Sequence, residues 1–321
     1  MPQLGTRPYV RGLHELGRGS WAWLQPDGGW GWSNAGLITD GDEALLVDTL
    51  FDTRLTDEML KAMRAAEPLA RTIGTVVNTH SNGDHCNGNA LLPDAEIVAS
   101  QATADEFAHE SPAMMANLMR RAPAMGEVGE FFQHCFGAFD FEGVTQRLPT
   151  RTFVGALDLT VGTKPVALKQ VGPAHTRGDI VVHVPSDRLA FTGDILFIEG
   201  HPIIWAGPVG NWIDACGYLL SLDLETVVPG HGPITDRRGV QAVHDYLVFV
   251  RDEARLRFDA GMPPFDAAMD IALGDYDSWG DAERIAVNVA TLYKEFAHDA
   301  TPNNVTELFG WMAKIHKSRR R

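Results

Sequence analysis

The sequence predicts an α/β protein of two similar halves facing each other, with a helical extension behind them. Three observations predict it. Two blocks of short β-rich runs joined by tight turns are each followed by helical spacing, an order that suggests two units of like construction. Four of the apolar runs end in a His or Asp beside Gly or Pro, and from residue 237 onward only helical spacing appears. The 321 residues, 45% hydrophobic and 21% charged, suffice for a full core and suit one large domain with an appendage.

Residues 1–20, rich in Gly and Arg without periodicity, read as a segment wrapping the surface, and the main domain is expected over 21–236. Runs at 21–24, 30–39 and 44–47, separated by turns at Pro26-Asp27-Gly28-Gly29 and Asp40-Gly41-Asp42, read as strands. Residues 52–67 carry Leu55, Met59, Leu60 and Met63 at helical spacing, with Asp52 or Thr53 as cap and Pro68 as stop. Residues 72–78 and 95–99 are further strands. A helical insert follows at about 101–135, rich in Met and Phe and broken near Pro112 and Pro123. Such a segment is either core packing or a pliable lid, and its place soon after a polar motif argues for the lid.

A second β block covers 157–161, 166–171, 180–184 and 189–192, helical spacing returns over 212–222, and 226–228 is the last strand. Helices are expected at about 237–260, 265–273, 281–299 and 304–316 of an extension spanning 237–321. Val240, Val243, Leu247, Val248 and Val250, and likewise Ile285, Val289, Leu292, Tyr293 and Phe296, form apolar faces that must be covered. A homodimer or a pocket wall is expected to cover them.

Lys plus Arg number 27 against 42 Asp plus Glu, a formal charge of −15, which repels phosphate backbones and argues against a nucleic-acid partner. The basic run 317–321 reads as a solvated end or an anion-binding arm. The first residues lack the apolar core of a signal peptide and no stretch reaches membrane-spanning length, so a cytoplasmic protein with no membrane partner is expected. Cys86, Cys135 and Cys216 are widely spaced and odd in number, fit no paired-Cys metal pattern, and are expected reduced.

The chemistry centres on Thr79-His80-Ser81-Asn82-Gly83-Asp84-His85. Alternate side chains of an extended chain share a face, so His80, Asn82 and Asp84 can converge while Gly83 lets the backbone turn and bring in His85. That is metal-site spacing, the bland alternative being a polar loop at a strand end. Three further segments end apolar strands with a possible ligand: Gly172-Pro173-Ala174-His175-Thr176, Phe191-Thr192-Gly193-Asp194-Ile195 and Val228-Pro229-Gly230-His231-Gly232. Any one could be accidental, but together with the first cluster they point to a metal centre.

With these motifs the sequence resembles the metallo-β-lactamase-fold hydrolase superfamily, whose signature is His-x-His-x-Asp-His followed by a separate His, an Asp and a His. The likeness runs over about residues 20–235 and includes Asn34 and Asp48-Thr49, which look like the family's N-terminal hairpin. It implies a four-layer αββα sandwich of two mixed sheets with metals at one edge. It further implies that His80 and His175 hold a first metal, that Asp84, His85 and His231 hold a second, and that Asp194 bridges them. Asn82 departs from the pattern, an amide standing where the family has its second His, and an amide oxygen is a much poorer donor than imidazole.

The implied activity is that of a metal-dependent hydrolase, with one or two zinc ions. Metal-bound hydroxide would attack an ester, lactone, thioester or amide carbonyl, while Asp84 orients the water and shuttles a proton. An oxygen donor at position 82 also suits iron or manganese and hence redox chemistry, and a metal-stabilised binding protein without catalysis is a third reading. Trp21, Trp23, Trp30 and Trp32 in the first hairpin, and Trp205 and Trp212 later, either wall a site for a small molecule with an apolar or aromatic part or plug the core. Trp32, Trp205 and His201 are the expected substrate contacts. His183 reads as a sheet residue, Cys86 as a small buried side chain, and Asp179 as a brace for a ligand.

Overall fold

The computed structural model describes residues 2–107 and 111–319. One sheet runs in chain order through β1 (Gly12–Gly17), β2 (Ser20–Leu24), β3 (Ala35–Asp40), β4 (Glu43–Val47), β5 (Thr75–Val77), β6 (Glu96–Ser100) and β7 (Arg151–Phe153). It is antiparallel as far as β4 and parallel beyond. The second sheet contains β8 (Ala156–Val161), β9 (Lys164–Gln170), β10 (Ile180–Val184), β11 (Leu189–Phe191) and β12 (Thr226–Val228), in the order β12-β11-β10-β9-β8. Only its β11–β12 pair is parallel, so both sheets are mixed.

The period of two along each strand explains the layers. Leu45 and Val47 of β4 join Val77, Val98, Ile180, Val182 and Phe191 in the core between the sheets. Leu46, Val76 and Ile97 belong to a second core with Leu55, Met59, Leu60 and Met63 of α1 (Thr53–Ala66). The side chain of Asp52 caps that helix, accepting from Leu55 N at 2.7 Å. Outside the second sheet lie α6 (Val209–Ser221) and α7 (Arg237–Asp259), so the layers are helix, sheet, sheet, helix. Trp212, fully buried on α6, also donates its Nε1–H to Ile195 O at 2.9 Å.

The helical insert comprises α3 (Gln101–Glu106), α4 (Pro112–Arg121) and α5 (Gly126–Phe136), while one turn, α2 (Gly83–Cys86), carries part of the polar motif. The extension continues from α7 through α8 (Pro264–Asp270) and α9 (Ile285–Phe296) to α10 (Val305–Arg319). Val240, Val243, Leu247, Val250, Ile285, Val289 and Leu292 are all buried within the chain, since α7 packs on α6 and α9. These faces therefore need no second subunit, and a homodimer would have to use another surface. Helix α10 packs on both α5 and α9, tying the insert to the extension.

Four local expectations change. Strand β1 lies inside the segment expected to be irregular; as a half-buried edge strand it shows no clean alternation and owes its form to pairing with β2, Leu13 opposite Trp23 and Glu15 opposite Trp21. Residues 30–34 are turn and irregular backbone rather than strand. The three-residue, mostly exposed β7 has too few apolar positions to be seen in the sequence. Part of the basic tail is helical, with Lys317 paired to Glu127 and Arg319 to Asp277; Arg320 and Arg321 lie outside the described residues. The three cysteines are buried, and among the described residues they form no disulfide. Among the described residues no helix is long and apolar enough to cross a membrane.

Candidate metal centre

The polar motifs meet where strands of both sheets end. β5 leads into His80, α2 carries Asp84 and His85, the β9–β10 connection carries His175, and the segments after β11 and β12 carry Asp194 and His231. Asn34 braces the last of these, donating from Nδ2 to Pro229 O at 3.0 Å and Gly232 O at 2.8 Å. Gly230 is required on steric grounds, because a Cβ there would lie 2.0 Å from Oδ1 of Asp194.

Each of four imidazoles is held from outside through Nδ1. His85 Nδ1–H donates to Asp48 Oδ2 at 2.9 Å, His175 to Ile203 O at 2.7 Å and His231 to Gly28 O at 3.1 Å. For His80 the partner is Thr79 Oγ1 at 3.1 Å, whose own proton goes to Asp48 Oδ2 at 2.7 Å. All these partners act as acceptors, so the Nδ1 position carries the proton and the Nε2 lone pair faces inward, the usual device for orienting metal-binding histidines. The four Nε2 atoms lie 3.7, 3.1, 3.3 and 3.4 Å from Asp194 oxygens, in the order His80, His85, His175 and His231. Asp84 Oδ2 is 3.3 Å from His231 Nε2 and 3.8 Å from His85 Nε2.

Buried atoms left without hydrogen bonds test the fit to a cation. His85 Nε2 and Asp194 Oδ1 are close but misaligned, and both, with His80 Nε2, remain buried without a hydrogen-bond partner. Such groups are costly unless something else satisfies them. Two triads, His80–His85–Asp194 and Asp84–His85–His231, have their donor atoms within 4.8 Å of one another. Electrostatics agree. Burial opposes charge on His85 and His231, yet Asp194 and Asp84, and for His85 also Asp48, outweigh it, lifting His85 well above the usual histidine range and His231 to about 9. Burial likewise disfavours the Asp194 carboxylate, but the surrounding imidazoles hold it well below the ordinary range. Burial instead pushes His80 and His175 below the usual histidine range, so the pocket combines neutral imidazoles with carboxylates, a set that suits a divalent cation.

Asn82 stands beside this group, its amide Oδ1 2.8 Å from His175 Nε2. With Nδ1–H of His175 committed to Ile203, Nε2 is an acceptor, so two acceptors face each other. Either the amide turns its NH2 toward the ring and caps the lone pair, or both atoms serve a cation. In both cases the site of His80 and His175 is weaker than an imidazole at 82 would make it. Asn82→His is expected to raise metal stoichiometry or affinity in titrations; unchanged values would refute this account of position 82.

A cavity of about 1290 Å³ opens on Asn82, Asp84, His175, Asp194 and His231. Trp205 lines it, as does Trp30, whose Nε1–H donates to Glu283 at 3.0 Å. Two expected substrate contacts do not line it. Trp32 packs on Phe139 at 4.8 Å, because the irregular backbone there removes the shared face with Trp30. His201 is fully buried against Tyr246, its Nδ1 2.9 Å from the phenol oxygen, and burial pushes its pKa down to about 3. Trp21 and Trp23 pack into the core. Asp179 accepts from Thr176 N and Oγ1 rather than from a ligand imidazole, with burial raising its pKa to about 8. The sequence reading missed Arg284 and Phe309, two cavity-lining residues of the extension. No local motif marks either one.

In sequence, the chain is 24% identical over 218 residues to the α subunit of a 2,4-dinitroanisole O-demethylase from Nocardioides sp. (strain JS1661), covering 64% of this chain and 55% of that subunit. It is 23% identical over 216 residues to the human acyl-coenzyme A thioesterase MBLAC2, covering 62% and 72% of the two chains. In structure it resembles a metallo-beta-lactamase from Pontibacter korlensis at TM-score 0.56 and 18% identity, over 74% of this chain and 98% of that one. It also resembles the stereoselective inverting sec-alkylsulfatase Pisa1 from Pseudomonas sp. at TM-score 0.63 and 16% identity, over 92% of this chain and 52% of that one. This chain thus spans about half the length of the demethylase subunit and of the alkylsulfatase. The latter match is wide enough to take in much of the helical extension. Residues 28–231 match the sequence profile of the Metallo-beta-lactamase superfamily, and the chain belongs to that superfamily.

Proposed function

We propose that the protein is a zinc-dependent hydrolase of the cytoplasm that cleaves a small-molecule ester or thioester with an apolar acyl group. One observation carries this: four inward-facing Nε2 atoms and two carboxylates converge at one wall of a cavity whose interior is largely apolar. His80, His85, His175, His231, Asp84 and Asp194 would hold a divalent cation, which would supply Lewis-acid polarisation of a carbonyl and a bound water acidified from about 15.7 toward 7.

The chain's own residues prepare that chemistry. Asp48, Ile203, Gly28 and Thr79 lock the ring orientations, so no reorganisation is needed when a cation binds. Asp84, 8% exposed and on the cavity wall, is placed to take a proton from a water in the cavity and return it to a leaving group. Phe197 and Trp205 present apolar surface beside the donors, where they exclude bulk water. Lactones and amides carry the same carbonyl and belong in the same trial. The similarity to an acyl-coenzyme A thioesterase supports testing thioesters first.

The experiment is metal analysis of the purified protein together with a screen of esters, thioesters, lactones and amides, using Asp84→Ala as the blank. Zinc is expected, with kcat/KM falling by about 10² to 10⁴ in the variant. Iron with visible absorption would favour a redox enzyme using Asn82 as an oxygen donor. Equal turnover by both proteins would overturn the role of Asp84.

A further inference from the structure

We propose that α10 closes the cavity into a slot for an extended acyl chain, and that Phe309 sets the chain length accepted. The inference rests on the hydrolase reading for the scissile end of the substrate and specifies its other end. The cavity, about 1290 Å³, far exceeds what a carbonyl and its attacking water need, and its lining is divided. The metal donors occupy one wall. Asn117, Arg121, Arg177, Asp299 and Thr301 are exposed and form the solvent side. Between them much of the interior is hydrocarbon and aromatic ring, interrupted by buried polar side chains such as Arg284, Asn87 and Thr291.

Phe309 is the hub of that interior. It is 6% exposed, stacks on Phe132 at 4.5 Å and 24°, and lies parallel to Trp205 at 6.2 Å and 24°. Trp30 is 6.0 Å away and Phe136 6.3 Å. The rings therefore join the insert, the β2–β3 connection, the loop after Asp194 and the C-terminal helix in one wall. Helix α4 adds Met114, Met115 and Leu118 to the same lining, and Met125 follows it. A lining of flat rings and pliable thioethers suits an extended hydrocarbon chain. Met114 and Val305 are 61% and 53% exposed although both line the cavity, which makes them apolar lips at its opening. Phe309 lies outside residues 28–231, so the extension adds to the slot a residue that the matched domain does not contain.

The test uses the metal-loaded protein, p-nitrophenyl esters from acetate to dodecanoate, and the corresponding free carboxylic acids. In the wild type kcat/KM should climb about three- to fourfold per methylene, the gain from burying one CH2, and then break. Phe309→Ala should move the break to longer chains, so that an ester two carbons past the wild-type break gains about tenfold. Phe309→Trp should move it to shorter chains. Carboxylic-acid binding, followed by the intrinsic fluorescence to which Trp30 and Trp205 contribute, should shift in the same opposite senses without any turnover. Opposite binding shifts with no ester hydrolysis would support the slot while counting against the hydrolase reading. Hydrolysis with a flat profile in both assays, or a break displaced the same way by both substitutions, would overturn the slot and leave the hydrolase reading in place.

Discussion

Asp194→Ala is expected to leave the purified protein with substoichiometric metal and to lower hydrolysis by at least about a thousandfold. Among the described residues Asp194 is the one side chain within 3.1 to 3.7 Å of all four Nε2 atoms, and it is 4% exposed. Removing it takes away a charge that the centre is arranged around, and no nearby group replaces it. Asp194→Asn separates shape from charge, since it keeps the former and loses the latter. Elemental analysis beside turnover measurements gives the answer for both variants. Full metal occupancy with wild-type rates in either would show that the centre works without this carboxylate's charge.

Arg284→Leu should cost about 3 to 5 kcal/mol of stability, the usual effect of breaking a buried ion pair and leaving its partner charged. The guanidinium is 2% exposed, pairs with Asp281 at 2.8 Å and donates to His201 O at 2.9 Å. Its Cζ also lies over the rings of Trp30 at 4.5 Å and Phe197 at 5.0 Å. Phe197 in turn stacks on His231, with centroids 5.0 Å apart and planes 4° from parallel, so the packing runs to the metal centre. For a domain of this size the loss corresponds to a fall in Tm of about 5 °C, measurable by calorimetry. Arg284→Lys should recover only part of it, because an ammonium cannot lie flat between two rings while making both hydrogen bonds. An unchanged Tm in Arg284→Leu would mean that this cluster contributes no net stability.

Much of the molecule is legible in the residue order, and for local reasons. Alternation along β4 and β10 sets their two buried faces, Asp52 caps α1, and the ligand-bearing segments each follow a strand that ends in Gly or Pro turns. Those features depend on neighbours within a few positions, which is the range over which backbone geometry constrains side chains. The superfamily's ligand pattern added which distant segments belong together.

What lies outside that range was decided by packing. Trp30 and Trp32 are two residues apart, yet one lines the cavity and the other packs on Phe139, because the backbone between β2 and β3 is irregular. His201 follows a metal-ligand segment in the chain but sits in a buried network with Tyr246 and Arg284. The Asn82 amide acquires its meaning only from His175 at 2.8 Å, a residue 93 positions away. Phe309 reaches the cavity because α10 folds back over the insert, and Arg284 because the turn at 282–284 packs against α10; no spacing rule connects positions so far apart. Spacing along the chain set the six candidate donors, whereas the closing of helices over them set the shape and chemistry of the space they face.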